Sequence, residues 1–189
     1  GAYMVVFTLN YVMGGDPIPH KSDQLYHVQF EYGDPSVPGF EPPPQLTYRD
    51  AVALLDSDQP YRRTASSKFI GILEPPGDQL QPFYVNGRGS SSDFFDMFDI
   101  PFRYGNAWDR SADEGQQQVI VLSEPMNDRL FGGENSVGET LLIHGLTFQI
   151  VGVLDKWLPT PMFYDVNNGP IGPGEEVCLP WSLIAGQEL

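Results

Sequence analysis

Hydrophobic positions are densest between residues 118 and 156. Val119-Ile120-Val121-Leu122 is continuous, apolar and mostly β-branched, the pattern of a strand buried on both faces. Ser123 then offers a hydroxyl to the free amides of a following helix, with Glu124 and Pro125 where a first turn accepts an acid and a proline. Met126, Leu130 and Phe131 share one face of that helix, and Gly132-Gly133 ends it. A turn over 135–138 leads to strands at 141–143 and 146–154, joined by His144-Gly145 as a two-residue hairpin. Leu146, Phe148 and Ile150 alternate with Thr147 and Gln149, so one face of the second strand is apolar. Gly152 interrupts the row and predicts a bulge or a close backbone approach.

The remaining pattern is sparser. Residues 2–13 are apolar, and no charge precedes Asp16. This run is shorter than the roughly 20 residues that cross a bilayer and lacks the basic start of a signal peptide. It reads either as a buried or interfacial element, or as the outer end of a membrane helix. Gly14 to Pro19 breaks any helix. Residues 25–32 alternate as a half-buried strand, and 33–45 form a proline-rich loop. Thr47 and Asp50 form a capping-box variant before Ala51, Leu54 and Leu55 at helical spacing, predicting a helix over 48–55. Strands are predicted at 67–73 and at 82–86, the second ending at the turn dipeptide Asn86-Gly87. Ser91-Ser92-Asp93 caps a short helix over 93–98 that presents Phe94, Met97 and Phe98, and Ile100-Pro101 stops it. An acidic, glutamine-rich loop follows over 109–118. A second proline-rich loop covers 159–176, then a last strand over 176–181 and a helix start or frayed end at 182–189. The sum is an α+β fold, with mixed β-sheets and a few short helices.

Charge narrows the function. Lys plus Arg number 10 against 25 Asp plus Glu, a formal charge of -15. Nucleic acid and anionic membrane surfaces both need clustered cations, so both are poor partners for such a chain. The one cysteine, Cys178, makes no internal disulfide or zinc site and reads as a small apolar core residue.

A search for chemistry finds candidates but no constellation. His20, His27 and His144 are far apart and lack metal-ligand spacing. Asp93, Asp96 and Asp99 partly share a helix face, yet no calcium-loop pattern accompanies them, so they read as a solvated acidic face. Gly87-Arg88-Gly89-Ser90 is followed by no lysine of a phosphate loop. Trp108, Trp157 and Trp181 are candidates to stack on a sugar or lipid in a stand-alone binding module. A carboxylate pair of the glycosidase kind has many possible members and no distinguishing signal. No residue is therefore assigned as catalytic, cofactor-binding or metal-binding, and an enzyme is not the expected reading.

The ordered motifs carry further. SDFFDMFDIPFRYGNAWD, then VIVLSEPMNDRLFGGENSVGETLLIHGLTFQIVGVL, then EVCLPWS resemble the MacB-like periplasmic core domain of ABC transporter permeases of the MacB/FtsX/LolC class. The resemblance covers the second half of the chain in detail and the first half by element order. It implies that 1–13 is the end of a membrane helix. It also implies two subdomains: a porter-like part from both chain ends, 14–86 with 157–189, and an inserted, mostly β part, 87–156. By the same resemblance, ATP-driven motion from a separate ATPase subunit or domain passes through the membrane part to the periplasm. A second permease subunit and a periplasmic adaptor are the other implied partners. The proline-rich loops depart from the family pattern and read either as candidate partner-contact regions or as tolerated surface insertions.

Overall fold

The computed structural model describes residues 18, 20–26, 48–57, 62–77, 80–159, 161–165 and 171–186. The apolar run 1–13, the proline-rich loop 33–45 and all of the expected strand 25–32 except Leu25 and Tyr26 lie outside them. The chain divides into two compact units, 18–60 and 1–17 with 61–189. Unit 18–60 contains a 3₁₀ turn, Ser22–Gln24, and helix α1, Tyr48–Leu55, as the apolar spacing predicts.

The larger unit is organised around one sheet. Its strands are β1 (Ser66–Glu74), β2 (Phe83–Ser90), β3 (Phe102–Gly105), β4 (Val119–Leu122), β5 (Thr140–Ile143), β6 (Leu146–Leu154) and β7 (Val177–Pro180). Their order is β3-β6-β4-β7-β2-β1-β5, and β5 pairs again with β6. On one edge of β6, β5 lies beside its first half and β3 beside its second, while β4 takes the other edge. Six strands therefore close into a ring, with β3 as an extension. Closure removes most of the open edges that a flat sheet would expose.

The ring has two well-paired parts and two short seams. β1 and β2 are in register from Ser66↔Ser90 to Leu73↔Phe83, and β7 runs parallel to β2 from Gly87↔Val177 to Ser90↔Pro180. The other part is β4, β5 and β6. The seams are Val121↔Cys178 with Leu122↔Val177, and Leu73↔Ile143 with Glu74↔Leu142.

Inward-facing Phe69, Leu73, Val85, Ile120, Leu122, Phe148, Ile150, Val177 and Leu179 fill the core, joined by Met126 and Leu183. Met126 comes from helix α4, Glu124–Phe131; Leu183 comes from α5, Trp181–Gly186. The local signals around α4 are as read. The Ser123 hydroxyl accepts from the Met126 N–H, and Gly132 closes the helix at φ 62°. His144 (φ 51°) and Gly145 (φ 77°) both take the left-handed angles of a tight hairpin turn. At Gly152 both expectations hold. The β4–β6 register skips a residue there, and a Cβ would lie 2.6 Å from the Asn106 main-chain oxygen.

Three expectations need correction. β2 does not stop at Asn86-Gly87 but continues to Ser90, because Gly87 serves packing rather than turning: a Cβ there would run into the Phe69 ring. Residues 102–105 form β3, an unforeseen strand whose partner β6 lies far along the chain. The expected loop 109–118 begins with helix α3, Arg110–Glu114, capped by the Asp109 carboxylate, which accepts from Ala112 N–H at 3.1 Å. In addition, helix α2, Asp93–Met97, forms without a hydrogen bond from the Ser92 side chain, and it buries Phe95 as well as Phe94.

Candidate interaction surface

Two features stand out on the larger unit: a buried ion cluster and an exposed apolar face. The cluster is centred on Arg88, whose side chain is 3% exposed. β2 places it beneath the two described ends of the loop 159–176. Its Nη2 donates to Asp165 Oδ2 at 2.9 Å and to Glu175 Oε1 at 2.6 Å, its Nε donates to Glu175 Oε1 at 3.0 Å, and its Nη1 to the Ser66 hydroxyl at 3.1 Å. Lys68 adds a second cation, with Nζ 2.6 Å from Asp165 Oδ2 and 3.8 Å from Glu175 Oε1. The Tyr164 hydroxyl donates to Glu175 Oε2 at 3.0 Å, and the guanidinium lies 5.0 Å from the Tyr164 ring centroid.

Formal charge balances, two cations against two carboxylates. Burial alone lowers the affinity of Arg88 for its proton, but Glu175 and Asp165 outweigh it and the net shift is upward. Burial, then the Glu175 charge, raises the Tyr164 phenol. The same two causes push the Cys178 thiol up to about 12. Each of these groups is thereby held in its ordinary protonated form, which suits a clasp and not an acid-base centre.

Around the cluster, aromatic rings pack edge to face. Phe94 meets Phe98 at 5.0 Å and Tyr164 at 5.9 Å in this way, whereas Trp157 lies 4.8 Å from Tyr164 with the rings tilted by 32°. Trp108 is buried against Phe95 and donates to Asp113 Oδ1 at 2.8 Å. Trp108 and Trp157 are thus committed to internal packing, and Trp181 sits on another element, at the start of α5.

The other sequence candidates scatter. His20 belongs to unit 18–60, His27 lies outside the described residues, and His144 is in the β5–β6 turn. No group of His, Cys, Asp or Glu among the described residues is placed to hold a metal ion. Asp93 accepts from Arg63 N–H at 3.2 Å and Asp96 pairs with Arg62, so these carboxylates turn to separate partners. The Gly87–Ser90 stretch is strand, not loop, and its arginine is the centre of the buried cluster. Asp165 and Glu175, which do come together, meet across a guanidinium.

The exposed apolar face lies on the β1–β2 hairpin. Ile70 is 65% exposed, Tyr84 74% and Ile72 39%, with Leu80 beside them in the connection. Ile72 and Tyr84 are register partners. Half-buried Leu142, on β5 opposite Glu74, extends the face. Such a concentration marks a contact surface more often than chance. Leu158, just before the loop 159–176, and Ile171, within it, are also exposed.

The profile of the MacB-like periplasmic core domain matches residues 3–188. The macrolide export ATP-binding/permease protein MacB of Salmonella paratyphi A is 28% identical over 141 residues, 74% of this chain and 20% of that protein. The pyoverdine export ATP-binding/permease protein PvdT of Pseudomonas entomophila is 32% identical over 115 residues, 60% of this chain and 16% of that one. The chain thus spans about a fifth of the length of these relatives. Among solved structures, the periplasmic region of MacB from Actinobacillus actinomycetemcomitans superposes with a TM-score of 0.57 at 22% identity, covering 75% of this chain and 58% of that one. The extracellular domain of the transporter YknZ from Gram-positive bacteria gives 0.56 at 16% identity, covering 75% and 66%. Both share the fold. With the family profile matched along nearly its whole length, the chain belongs to the MacB-like periplasmic core domain family.

Proposed function

We propose that this chain is the periplasmic domain of an ABC transporter permease of the inner membrane, and that it relays motion without bond chemistry of its own. ATP turnover in a separate ATPase subunit or domain moves the membrane part, and the domain passes that movement to the periplasm for export or extraction of a substrate such as a peptide, drug or lipoprotein. A second permease subunit and a periplasmic adaptor are its further partners. The observation that carries this reading is the family match over residues 3–188.

The ring supports a relay physically. Packed strands move as rigid bodies, and rearrangement concentrates where pairing is shortest. The two short seams fall close to the borders between the porter-like part, 14–86 with 157–189, and the insert, 87–156.

The test is topological. The complete reading frame containing this chain is expressed in its host, the envelope is fractionated, and spheroplasts are treated with protease. The expected result is an inner-membrane protein whose residues 61–189 are cut or labelled from the periplasmic side. A parent protein that stays soluble in the cytoplasm overturns the proposal.

A further inference from the structure

We infer that the ring of strands opens at one seam only: β1 parts from β5, while the β4–β7 seam stays closed and acts as the pivot. β1 is paired with β2 along its length, and β5 with β6 along its own, so the seams are where one part of the ring can move against the other. In register the two are equally short, Leu73↔Ile143 with Glu74↔Leu142 and Val121↔Cys178 with Leu122↔Val177. Their surroundings decide between them.

At the β4–β7 seam, all four residues of each strand are buried. Parting them would leave main-chain N–H and C=O groups unpaired and away from water, the costliest place to break such bonds. Glu176, just before β7, also ties the seam from both sides. Its N–H donates to the Asn86 carbonyl at 2.8 Å, and its Oε2 accepts from Asn86 N–H at 2.8 Å. Its own carbonyl accepts from Ser123 N–H, at the head of α4, at 2.9 Å. Beside it, Glu175 is held by Arg88.

The β1–β5 seam lies at the rim. Leu73 and Ile143 are buried there, but Ile72, Glu74 and His144 are exposed and Leu142 is half-buried. His144 N–H donates to the Ile72 carbonyl at 3.1 Å, a bond that water can replace. A cation–π contact spans the same side: the exposed Arg129 of α4 lies 3.5 Å from the ring centroid of Phe83, the register partner of Leu73. It serves as a reversible catch. Opening uncovers the Leu73 and Ile143 side chains, so the closed ring is the resting form. The seam roles depend on pairing and burial; only their use in a relay depends on the permease reading. A test on this chain alone keeps the two apart.

The measurement is amide hydrogen exchange in the 189-residue chain, read residue by residue by NMR. The His144 amide should exchange at least about a hundredfold faster than the Ser123 amide, which reports the pivot. Two disulfides then separate the seams, because antiparallel register partners lie about 4.5–5.5 Å apart, within disulfide reach. Glu74→Cys with Leu142→Cys locks the rim and should slow His144 at least about tenfold, with reduction restoring the rate. Val121→Cys, opposite the native Cys178, locks the pivot and should leave the His144 rate unchanged. Arg129→Ala should speed His144 by about threefold, the worth of an exposed cation–π contact. A turn that only frays at its tip would ignore a residue on α4. The inference is overturned if His144 and Ser123 exchange at the same rate, or if the rim disulfide leaves His144 unslowed. It is equally overturned if the pivot disulfide slows His144 as much as the rim one, or if Arg129→Ala leaves His144 unchanged. Should Val121→Cys prevent folding, the rim disulfide and Arg129→Ala still decide.

Discussion

Replacing Arg88 by methionine tests the central cluster most directly. The change removes three hydrogen bonds to carboxylates at 2.6–3.0 Å and leaves Asp165 and Glu175, whose side chains are 6% and 7% exposed, facing each other. Breaking a buried ion pair from one side typically costs about 3–5 kcal/mol. Lys68 remains 2.6 Å from Asp165 but 3.8 Å from Glu175, so it compensates only one of the two carboxylates and the loss should fall in the lower half of that range. For a domain of this size each kcal/mol moves the melting temperature by about 2–4 °C, so a drop of about 6–16 °C is expected. The assay is urea and thermal unfolding followed by circular dichroism. The triple change Arg88→Met, Asp165→Leu, Glu175→Met removes both orphaned carboxylates, leaves the 37% exposed Lys68 able to turn to solvent, and should recover most of the loss. A single variant within about 1 kcal/mol of the parent, or a triple variant no better than the single, would refute the assignment of the cluster as a buried clasp.

Cys178 should resist thiol reagents in the native chain and react fully in urea; rapid native labelling would contradict its burial. Its folded pKa of about 12 lies above the unfolded value of about 8.5, so its contribution is complete below about pH 8.5 and is lost as pH rises towards 12. Cys178→Ala should therefore flatten the alkaline fall in stability, and the upward-shifted Tyr164 phenol should sustain what remains above about pH 10. Gly87→Ala should cost about 1–3 kcal/mol by forcing the Phe69 ring aside, and adding Phe69→Leu should return part of it in a double-mutant cycle. Ser123→Ala should lose about 1 kcal/mol with the α4 cap, read as a lower urea midpoint; an unchanged midpoint would mean the cap is not used.

The features legible in the sequence are those decided within a few residues. Ser123, Gly132 and the His144-Gly145 turn each act on main-chain groups of their own segment, so their identities name the structure around them. Arg88 sits 77 residues from Asp165 and 87 from Glu175, and nothing beside it in sequence announces either partner. With its flanking glycines it has only the outline of a phosphate loop. Asn86-Gly87 carries a turn signature, yet the glycine is there for the ring of Phe69 on the neighbouring strand. β3 was missed for the same reason, since its place depends on Gly152 of β6. In β1, apolar residues occupy both faces, Phe69 and Leu73 on one and Ile70 and Ile72 on the other. Period-two alternation then identifies a strand but not which of its faces meets water.

The position of β7 has a consequence for synthesis. This strand, from near the end of the chain, lies between β2 and β4, which precede it by many residues. Until Val177–Pro180 leaves the ribosome, the growing polypeptide carries both of those strands with a bare flank, the condition in which nascent chains pair wrongly with their neighbours. A stalled translation product ending before Val177 would keep both flanks bare, so the emergence of this one strand decides when β2 and β4 are covered.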